Sequence, residues 1–210
     1  MKNLIICCEG ETEELFVEKI LTPYLAQIGI FVTTRGMRGV SSYKRIKDFL
    51  VGYCKSNPSA LVTTMIDYYG AAKYMPGYIP NKGDIYSRAL AVEAAVEKDL
   101  AELNNLMFNL TLHEFEGYLF SNIAAFEIVA SKIQLADLAN IRQRFETPEH
   151  INEKYETAPS RRIRQVIPDY QKMQDGIPIA KSITVEKIAL ECHHFASWLA
   201  KLTVWAKEGA

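Results

Sequence analysis

The first half of the chain contains four short, mainly apolar runs, which are typical of strands in a parallel sheet covered on both faces. They span residues 3–8, 29–34, 60–66 and 106–112. Between them, apolar residues recur at three- and four-residue spacing, which predicts amphipathic helices. These helices span residues 13–28, 43–54 and 84–103. Strands that alternate with helices predict a doubly wound α/β core with a mainly parallel four-stranded sheet.

After residue 120 the strand pattern disappears, and short helical segments separated by proline-containing turns take its place. The most apolar of these segments, at 187–206, is predicted to be a single helix that packs on the core. We therefore expect an α/β core at 1–122. A helical C-terminal extension at 123–210 should pack on it as part of one structural unit.

Composition and charge narrow the classes of protein. The 210 residues carry a formal net charge of -1, so no overall field attracts the chain to nucleic acid. The four cysteines show no C-x-x-C spacing and are expected to be reduced core residues. No apolar run approaches the length of a membrane span, and we expect a cytoplasmic protein with no membrane partner.

Acidic side chains follow three of the four predicted strands. Glu9 comes after the first strand, Asp67 after the third, and His113, Glu114 and Glu116 after the fourth. In an open parallel sheet, ligands bind outside the carboxyl ends of the strands, so these residues are expected to converge. Clustered carboxylates favour a cation, and Mg²⁺ or Mn²⁺ takes such oxygen ligands.

Each of these acids also has a structural alternative. Asp67 could be a turn residue, and Glu114 and Glu116 could be solvated acids in the first turn of a helix. Glu11, Glu13 and Glu14 are interpreted as residues of a helix start, where acids are favourable. Glu9 differs from them because it precedes Gly10 at the end of the strand.

Two basic segments are candidates for substrate binding. The segment PSRRIRQ, at 159–165, offers Arg162 for a bidentate contact with phosphate, although a solvated helix start is an equal alternative. The loop at 67–83 is predicted to lack secondary structure and to cover the site, where Lys73 could contact a nucleic-acid backbone; an interface with a partner protein is an equal alternative for its tyrosines. His113 is grouped with the substrate-binding residues and is expected to orient a neighbour by hydrogen bonding rather than to bind metal.

Five blocks in this order resemble an uncharacterised bacterial family, domain of unknown function 4276. They read CEGETEELFVEKILTPYL, TMIDYYG, LHEFEGYLF, PEHINEKYETAPSRRI and CHHFASWLAKL. The resemblance extends nearly from end to end and implies a Toprim-like fold, the metal-binding fold of topoisomerases, primases and overcoming-lysogenisation-defect nucleases. It also implies an ABC- or SMC-type ATPase as partner, in settings that suggest phage defence.

The resemblance also implies roles for individual residues. The Toprim glutamate corresponds to Glu9, as a general acid or base or a metal ligand, and the first aspartate of Asp-x-Asp corresponds to Asp67. Tyr69 stands where the second aspartate is expected, so a two-metal site would require Glu114 or Glu116 to replace that ligand. The family's block around Arg162 is consistent with a phosphate contact there.

These implications lead to two hypotheses. The first is a Mg²⁺- or Mn²⁺-dependent nuclease, the effector subunit of an ATPase-linked phage-defence system, with nucleic acid as substrate. The catalytic residues would be Glu9, Asp67, Glu114 and Glu116, with Glu9, Asp67 and Glu116 as metal ligands. The alternative is a degenerate Toprim-like subunit that docks on an ATPase without catalytic activity. Whether the substrate is DNA or RNA, and whether the chain forms a homo-oligomer, stay open.

Overall fold

The computed structural model describes residues 2–39, 42–80, 83–151 and 155–208. Its centre is a parallel sheet in which the strands follow the order β2-β1-β3-β4, with β5 paired to β3 beyond β4. The strands are β1 (Lys2–Cys8), β2 (Ile30–Gly36), β3 (Ala60–Asp67), β4 (Leu106–Met107) and β5 (Leu110–Thr111). The predicted α/β class with a mainly parallel sheet is confirmed.

The predicted fourth strand is interrupted rather than continuous, which corrects the single run expected at 106–112. Between β4 and β5 the backbone of Asn109 bonds to a side chain of β3. Its N–H donates to Thr64 Oγ1 at 2.8 Å, and that hydroxyl donates to the Asn109 carbonyl at 2.6 Å. The threonine hydroxyl therefore replaces the ladder bonds that a continuous strand would make.

Helices cover both faces of the sheet and form the C-terminal part. They are α1 (Glu11–Phe16), α2 (Thr22–Ala26), α3 (Tyr43–Ser56), α4 (Tyr68–Ala71), α5 (Ile85–Asp99), α6 (Glu116–Leu119), α7 (Lys132–Arg142), α8 (Pro159–Val166), α9 (Ile177–Ile183), α10 (Val185–Glu191) and α11 (His193–Lys207). A π-helical turn at Val17–Leu21 joins α1 to α2. The described part of the chain contains no strand after Thr111.

Two further predictions about helices need correction. The loop at 67–83 does contain secondary structure, because Asp67 caps the short helix α4 and a 3-10 turn follows at Ala72–Tyr74. The helix predicted at 187–206 is broken at Cys192, which has an extended backbone with φ -115° and ψ 97°. Because of this break, α11 begins as a separate helix, and the backbone N–H groups of its first turn can bond to a carboxylate.

The side chains of β1 alternate between two cores, as expected for a strand covered on both faces. Leu4, Ile6 and Cys8 pack with the C-terminal helices on one side. Ile5 and Cys7 pack on the other, beneath α3 and α5. The four cysteines are buried and unpaired.

The first of these cores joins the sheet to the helices that follow residue 122. Trp198 of α11 is buried in it, and its indole N–H donates to Thr63 Oγ1 of β3 at 3.0 Å. The division into 1–122 and 123–210 stays a prediction. None of the helices in the described ranges is long and apolar enough to cross a membrane.

The buried carboxylate of Glu149 fixes the start of α11. Its Oε2 accepts from the N–H of His194 and its Oε1 from the N–H of Phe195, each at 3.0 Å. These are amides that an isolated helix would leave without partners, and the negative charge also suits the helix dipole. The TPEH segment therefore ties the last helix to the rest of the fold.

We expect Glu149→Ala to lower the free energy of unfolding by about 1–3 kcal/mol, because it leaves two buried amides without acceptors. Urea denaturation of the variant beside Glu146→Ala, an exposed acid in the same segment, measures the difference. Glu149→Gln keeps one acceptor oxygen and should lose less. Equal stability of Glu149→Ala and Glu146→Ala would contradict the capping role.

Candidate active site at the carboxyl edge of the sheet

Glu9 and Asp67 meet at the edge of the sheet where β1 and β3 end. The two strands are neighbours in parallel register, with Cys8 opposite Met65, so their ends lie side by side. Glu9 Oε2 accepts a hydrogen bond from the N–H of Asp67 at 3.1 Å. The convergence of acidic residues predicted from the sequence therefore holds for this pair.

Asp67 also has a local structural task. Its Oδ1 accepts from the N–H of Tyr69 at 2.9 Å and so caps α4. The turn-residue alternative is thus correct, but the cap uses only one of the two carboxylate oxygens of Asp67. The backbone N–H of Tyr69 makes this hydrogen bond, while its ring stacks on the ring of His113.

Ionisation of the carboxyl groups of Glu9 and Asp67 is unfavourable in this site. Burial raises the pKa of Glu9 above its ordinary value; the Asp67 N–H opposes this shift, and Glu13 adds to it. Burial also raises the pKa of Asp67 well above its usual range, and the charges of Glu9, Glu114 and Glu13 raise it further. Four carboxylates therefore share one field, and a cation placed among them would lower the cost of their ionisation.

The third strand end contributes Glu114 and Glu116, which contact a lysine from the C-terminal part. Lys172 Nζ lies 2.9 Å from Glu116 Oε2 and 3.7 Å from Glu114 Oε1. Glu116 is fully buried, and burial raises its pKa to about 7 although Lys172 opposes the shift. Glu114 Oε2 accepts from the N–H of Ser160 at 3.2 Å. Lys172 is thus the partner of Glu116, whereas the negative charge of Glu114 also acts on Asp67 and raises its pKa.

Across residues 2–39, 42–80, 83–151 and 155–208, no three Asp, Glu, His or Cys side chains form a group that could hold a metal ion. Of the predicted ligands, Glu9 and Asp67 are joined by the hydrogen bond from the Asp67 N–H to Glu9 Oε2. The roles predicted for the individual site residues stay predictions.

His113 lies in the interior rather than on an open surface. Its Nε2 contacts the carbonyl oxygen of Glu149, while its Nδ1 has no hydrogen-bond partner. Burial lowers the pKa of His113 to about 3, so the imidazole is neutral. This environment favours the orienting role expected for His113, because its ring supports Tyr69 beside Asp67.

A basic groove lies next to the acidic residues. It encloses about 540 Å³, and its lining comprises three cations, two acids and two neutral residues: Arg161, Arg164, Lys172, Glu114, Glu156, Ser160 and Gln165. Helix α8 carries both arginines, and Pro159 occupies its first turn. Guanidinium groups in such a groove suit the oxygens of a phosphate.

The two cations predicted to bind substrate lie elsewhere. The Arg162 guanidinium packs over the ring of Phe145 at 5.0 Å, and its Nε donates to the Thr157 carbonyl at 2.9 Å. Lys73 is exposed, and its Nζ lies 5.0 Å from the ring centre of Tyr74. The groove arginines are therefore Arg161 and Arg164, which flank the residue selected from the sequence.

Sequence reasoning missed Glu13 and Lys172. Glu13 does lie in the first turn of α1, as interpreted, but its carboxyl group also faces Glu9. Glu9 precedes α1, and the extended Gly10 lies between them, so helical spacing does not connect Glu9 to Glu13; their short separation in the sequence was the available signal. Lys172 has no such signal, because only the packing of the C-terminal helices brings it to the sheet edge.

Comparison with protein families identifies the same family as the sequence resemblance. No curated protein matches the chain. Among solved structures, the C-terminal region of the Burkholderia pseudomallei OLD protein is similar, with 16% identity and a TM-score of 0.49. The alignment covers 97% of this chain and 98% of that one. The model of the family "Domain of unknown function (DUF4276)" matches residues 8–203. The chain therefore belongs to the DUF4276 family.

Proposed function

We propose that the chain is a metal-dependent nuclease that hydrolyses phosphodiester bonds with Mg²⁺ or Mn²⁺ held by Glu9 and Asp67. The observation that carries the proposal is the hydrogen bond from the Asp67 N–H to Glu9 Oε2, which places these two acidic residues side by side at the sheet edge, where burial and their neighbours raise the pKa of both. Mg²⁺ commonly takes one or two protein carboxylates and completes its shell with water and substrate phosphate oxygens. A pair of carboxylates therefore fits such an ion.

The remaining residues have complementary tasks. When bound, the ion would neutralise phosphate charge and acidify a bound water. Glu9 Oε1 and Asp67 Oδ2 would be the oxygens that hold the ion, since Glu9 Oε2 accepts from the Asp67 N–H and Asp67 Oδ1 accepts from the Tyr69 N–H. Arg161 and Arg164 in the groove would hold the phosphate. We leave Glu116 out of the metal site because Lys172 already neutralises it.

We further propose that the chain works beside an ABC- or SMC-type ATPase in phage defence, as the family resemblance implies. The net charge of -1 supports a need for a partner that delivers nucleic acid, because the basic groove is local.

Cleavage assays test the proposal. Purified protein with Mn²⁺ is expected to cut at least one of plasmid DNA, single-stranded DNA and RNA. Glu9→Gln should lose this activity by a factor of about 100 or more. Glu11→Gln is the matched control, because Glu11 is an exposed acid two residues away. Cleavage that survives Glu9→Gln unchanged would refute the assignment.

A non-catalytic, regulatory subunit is a second candidate, and one observation favours it. The Lys172 ammonium group already supplies a cation among these acids, since its Nζ lies 2.9 Å from Glu116 and 3.7 Å from Glu114. Calorimetry with Mn²⁺ separates the two functions. Heat of binding in the wild type that disappears in Glu9→Gln supports the nuclease. No binding at millimolar Mn²⁺ supports the regulatory subunit.

A further inference from the structure

A second cavity adjoins the candidate active site through Tyr69. We call it the Tyr69 pocket; it encloses about 290 Å³. Its lining includes three rings and two guanidinium groups, from Tyr69, Phe145, His150, Arg88 and Arg144. It shares no lining residue with the basic groove. Its volume lies near the lower limit of about 300 Å³ for small-ligand sites, which suits one nucleotide better than a larger ligand.

Charges of both signs line the Tyr69 pocket, and its two guanidinium groups are the sites available to an anion. Three acids also line it, but the carboxylates of two are engaged by backbone amides. Asp84 Oδ1 caps α5 by accepting from the N–H of Tyr86 and of Ser87. Glu149 caps α11 in the same way. Three carboxylates and two guanidinium groups give the lining a formal charge of -1, part of which is offset by the helix starts that Asp84 and Glu149 cap. An anion in the pocket would therefore be recognised locally, by Arg88 and Arg144.

Tyr69 connects this pocket to the candidate active site. Its N–H is bound to Asp67 Oδ1, two residues earlier in the chain. Its ring stacks on His113 with centroids 5.0 Å apart and planes 17° apart, which fixes the orientation of the ring. A group bound against Tyr69 is therefore held at a fixed distance from Asp67.

We propose that the Tyr69 pocket binds a nucleotide of a single-stranded nucleic acid, next to the phosphate that is cut. The base stacks on the aromatic rings of the pocket, and Arg144 and Arg88 contact its phosphate. A paired base cannot enter such a recess without leaving its helix, so the pocket selects unpaired strands. The inference rests on the proposed nuclease function and names its substrate class.

This assignment also accounts for Tyr69 in place of the second aspartate of Asp-x-Asp. The position provides the wall of a substrate pocket rather than a metal ligand. The site thereby has a stacking surface where a carboxylate would otherwise lie, while Asp67 accepts a hydrogen bond from the N–H of the same residue.

Binding of a fluorescently labelled thymidine oligonucleotide tests the proposal by anisotropy, with the full chain in EDTA so that no cleavage occurs. Tyr69→Leu should weaken binding by about 10-fold, and Tyr69→Phe should bind like the wild type. Arg144→Ala should reduce the slope of log K against log salt by about 0.7, the value for one phosphate contact on a single strand. Lys132→Ala removes an exposed cation at the far end of α7 and should change neither quantity. A duplex of the same length should bind more weakly than the single strand.

The result that would overturn the proposal is binding by Tyr69→Leu and Arg144→Ala that equals the wild type, or no binding by the wild type itself. A duplex preference would also overturn it. The proposed function fails separately, if Mn²⁺ produces no cleavage. Loss of oligonucleotide binding in the two variants would then still place a nucleotide in the Tyr69 pocket.

Discussion

Asp67→Asn is expected to abolish Mn²⁺-dependent cleavage, by a factor of at least about 100, without unfolding the protein. Asparagine keeps a side-chain oxygen that can accept the hydrogen bond from the Tyr69 N–H, and it is as good a helix cap as aspartate. It removes the negative charge that the metal requires. The variant therefore separates the structural task of Asp67 from its proposed chemical one.

The same variant should be at least as stable as the wild type in metal-free buffer at pH 8. The pKa of Asp67 is raised in the folded state, so its favourable contribution is complete below the unfolded pKa of about 4 and is lost as pH rises through the folded value. The wild type should consequently lose stability between mildly acidic and mildly basic pH. Asp67→Asn should lose less, because one of the ionising groups is gone.

Mn²⁺ should reverse this pH dependence in the wild type but not in Asp67→Asn. A ligand present at about 100 times its Kd stabilises the folded state by about 2.7 kcal/mol. Urea denaturation at pH 5.5 and pH 8, with and without Mn²⁺, measures both effects, with Glu11→Gln as the control that behaves like the wild type. If Mn²⁺ stabilises Asp67→Asn as much as the wild type, Asp67 is not a ligand.

The meeting of Glu9 and Asp67 was predictable because it depends on strand order. Two apolar runs that each end in an acid, in a chain with α/β alternation, place those acids at one edge if the strands are neighbours. Here β1 lies directly beside β3, and the pairing of Cys8 with Met65 sets the distance. The sequence pattern also identified both faces of β1 as buried.

The structural features that sequence reasoning missed depend on contacts between distant segments. Glu116 occupies the predicted helix, yet it points into the interior, because Lys172 from the C-terminal part meets it there. The break at Cys192 depends in the same way on Glu149, which supplies the cap that makes a new helix start favourable. No periodicity within one segment carries information about a partner more than 40 residues away.

Lys172→Met is expected to destabilise the protein by about 2–3 kcal/mol at pH 8, because it leaves the buried carboxylate of Glu116 without its counter-charge. Burial alone would lower the pKa of Lys172, but Glu116 and Glu114 outweigh it and raise the value. The lysine is therefore charged throughout this pH range, and the charge state of Glu116 decides what the pair contributes.

The cost should be smaller at pH 5 than at pH 8. The folded pKa of Glu116 is about 7, so below it the carboxyl group is protonated and needs no partner. Removal of Lys172 raises that pKa further, so the stability of the variant should fall more steeply as pH rises. Urea denaturation at the two pH values measures the difference.

A double-mutant cycle isolates the ion pair from the loss of the lysine stem. In the Glu116→Gln background, Lys172→Met should cost less than it does in the wild type at pH 8, because no buried charge is stranded. Lys44→Met breaks the exposed pair with Asp48 and should change stability by no more than about 0.5 kcal/mol. The cost of Lys172→Met could instead be the same at both pH values and in both backgrounds. That result would show that Lys172 stabilises the site through the packing of its stem and not through its positive charge beside Glu116.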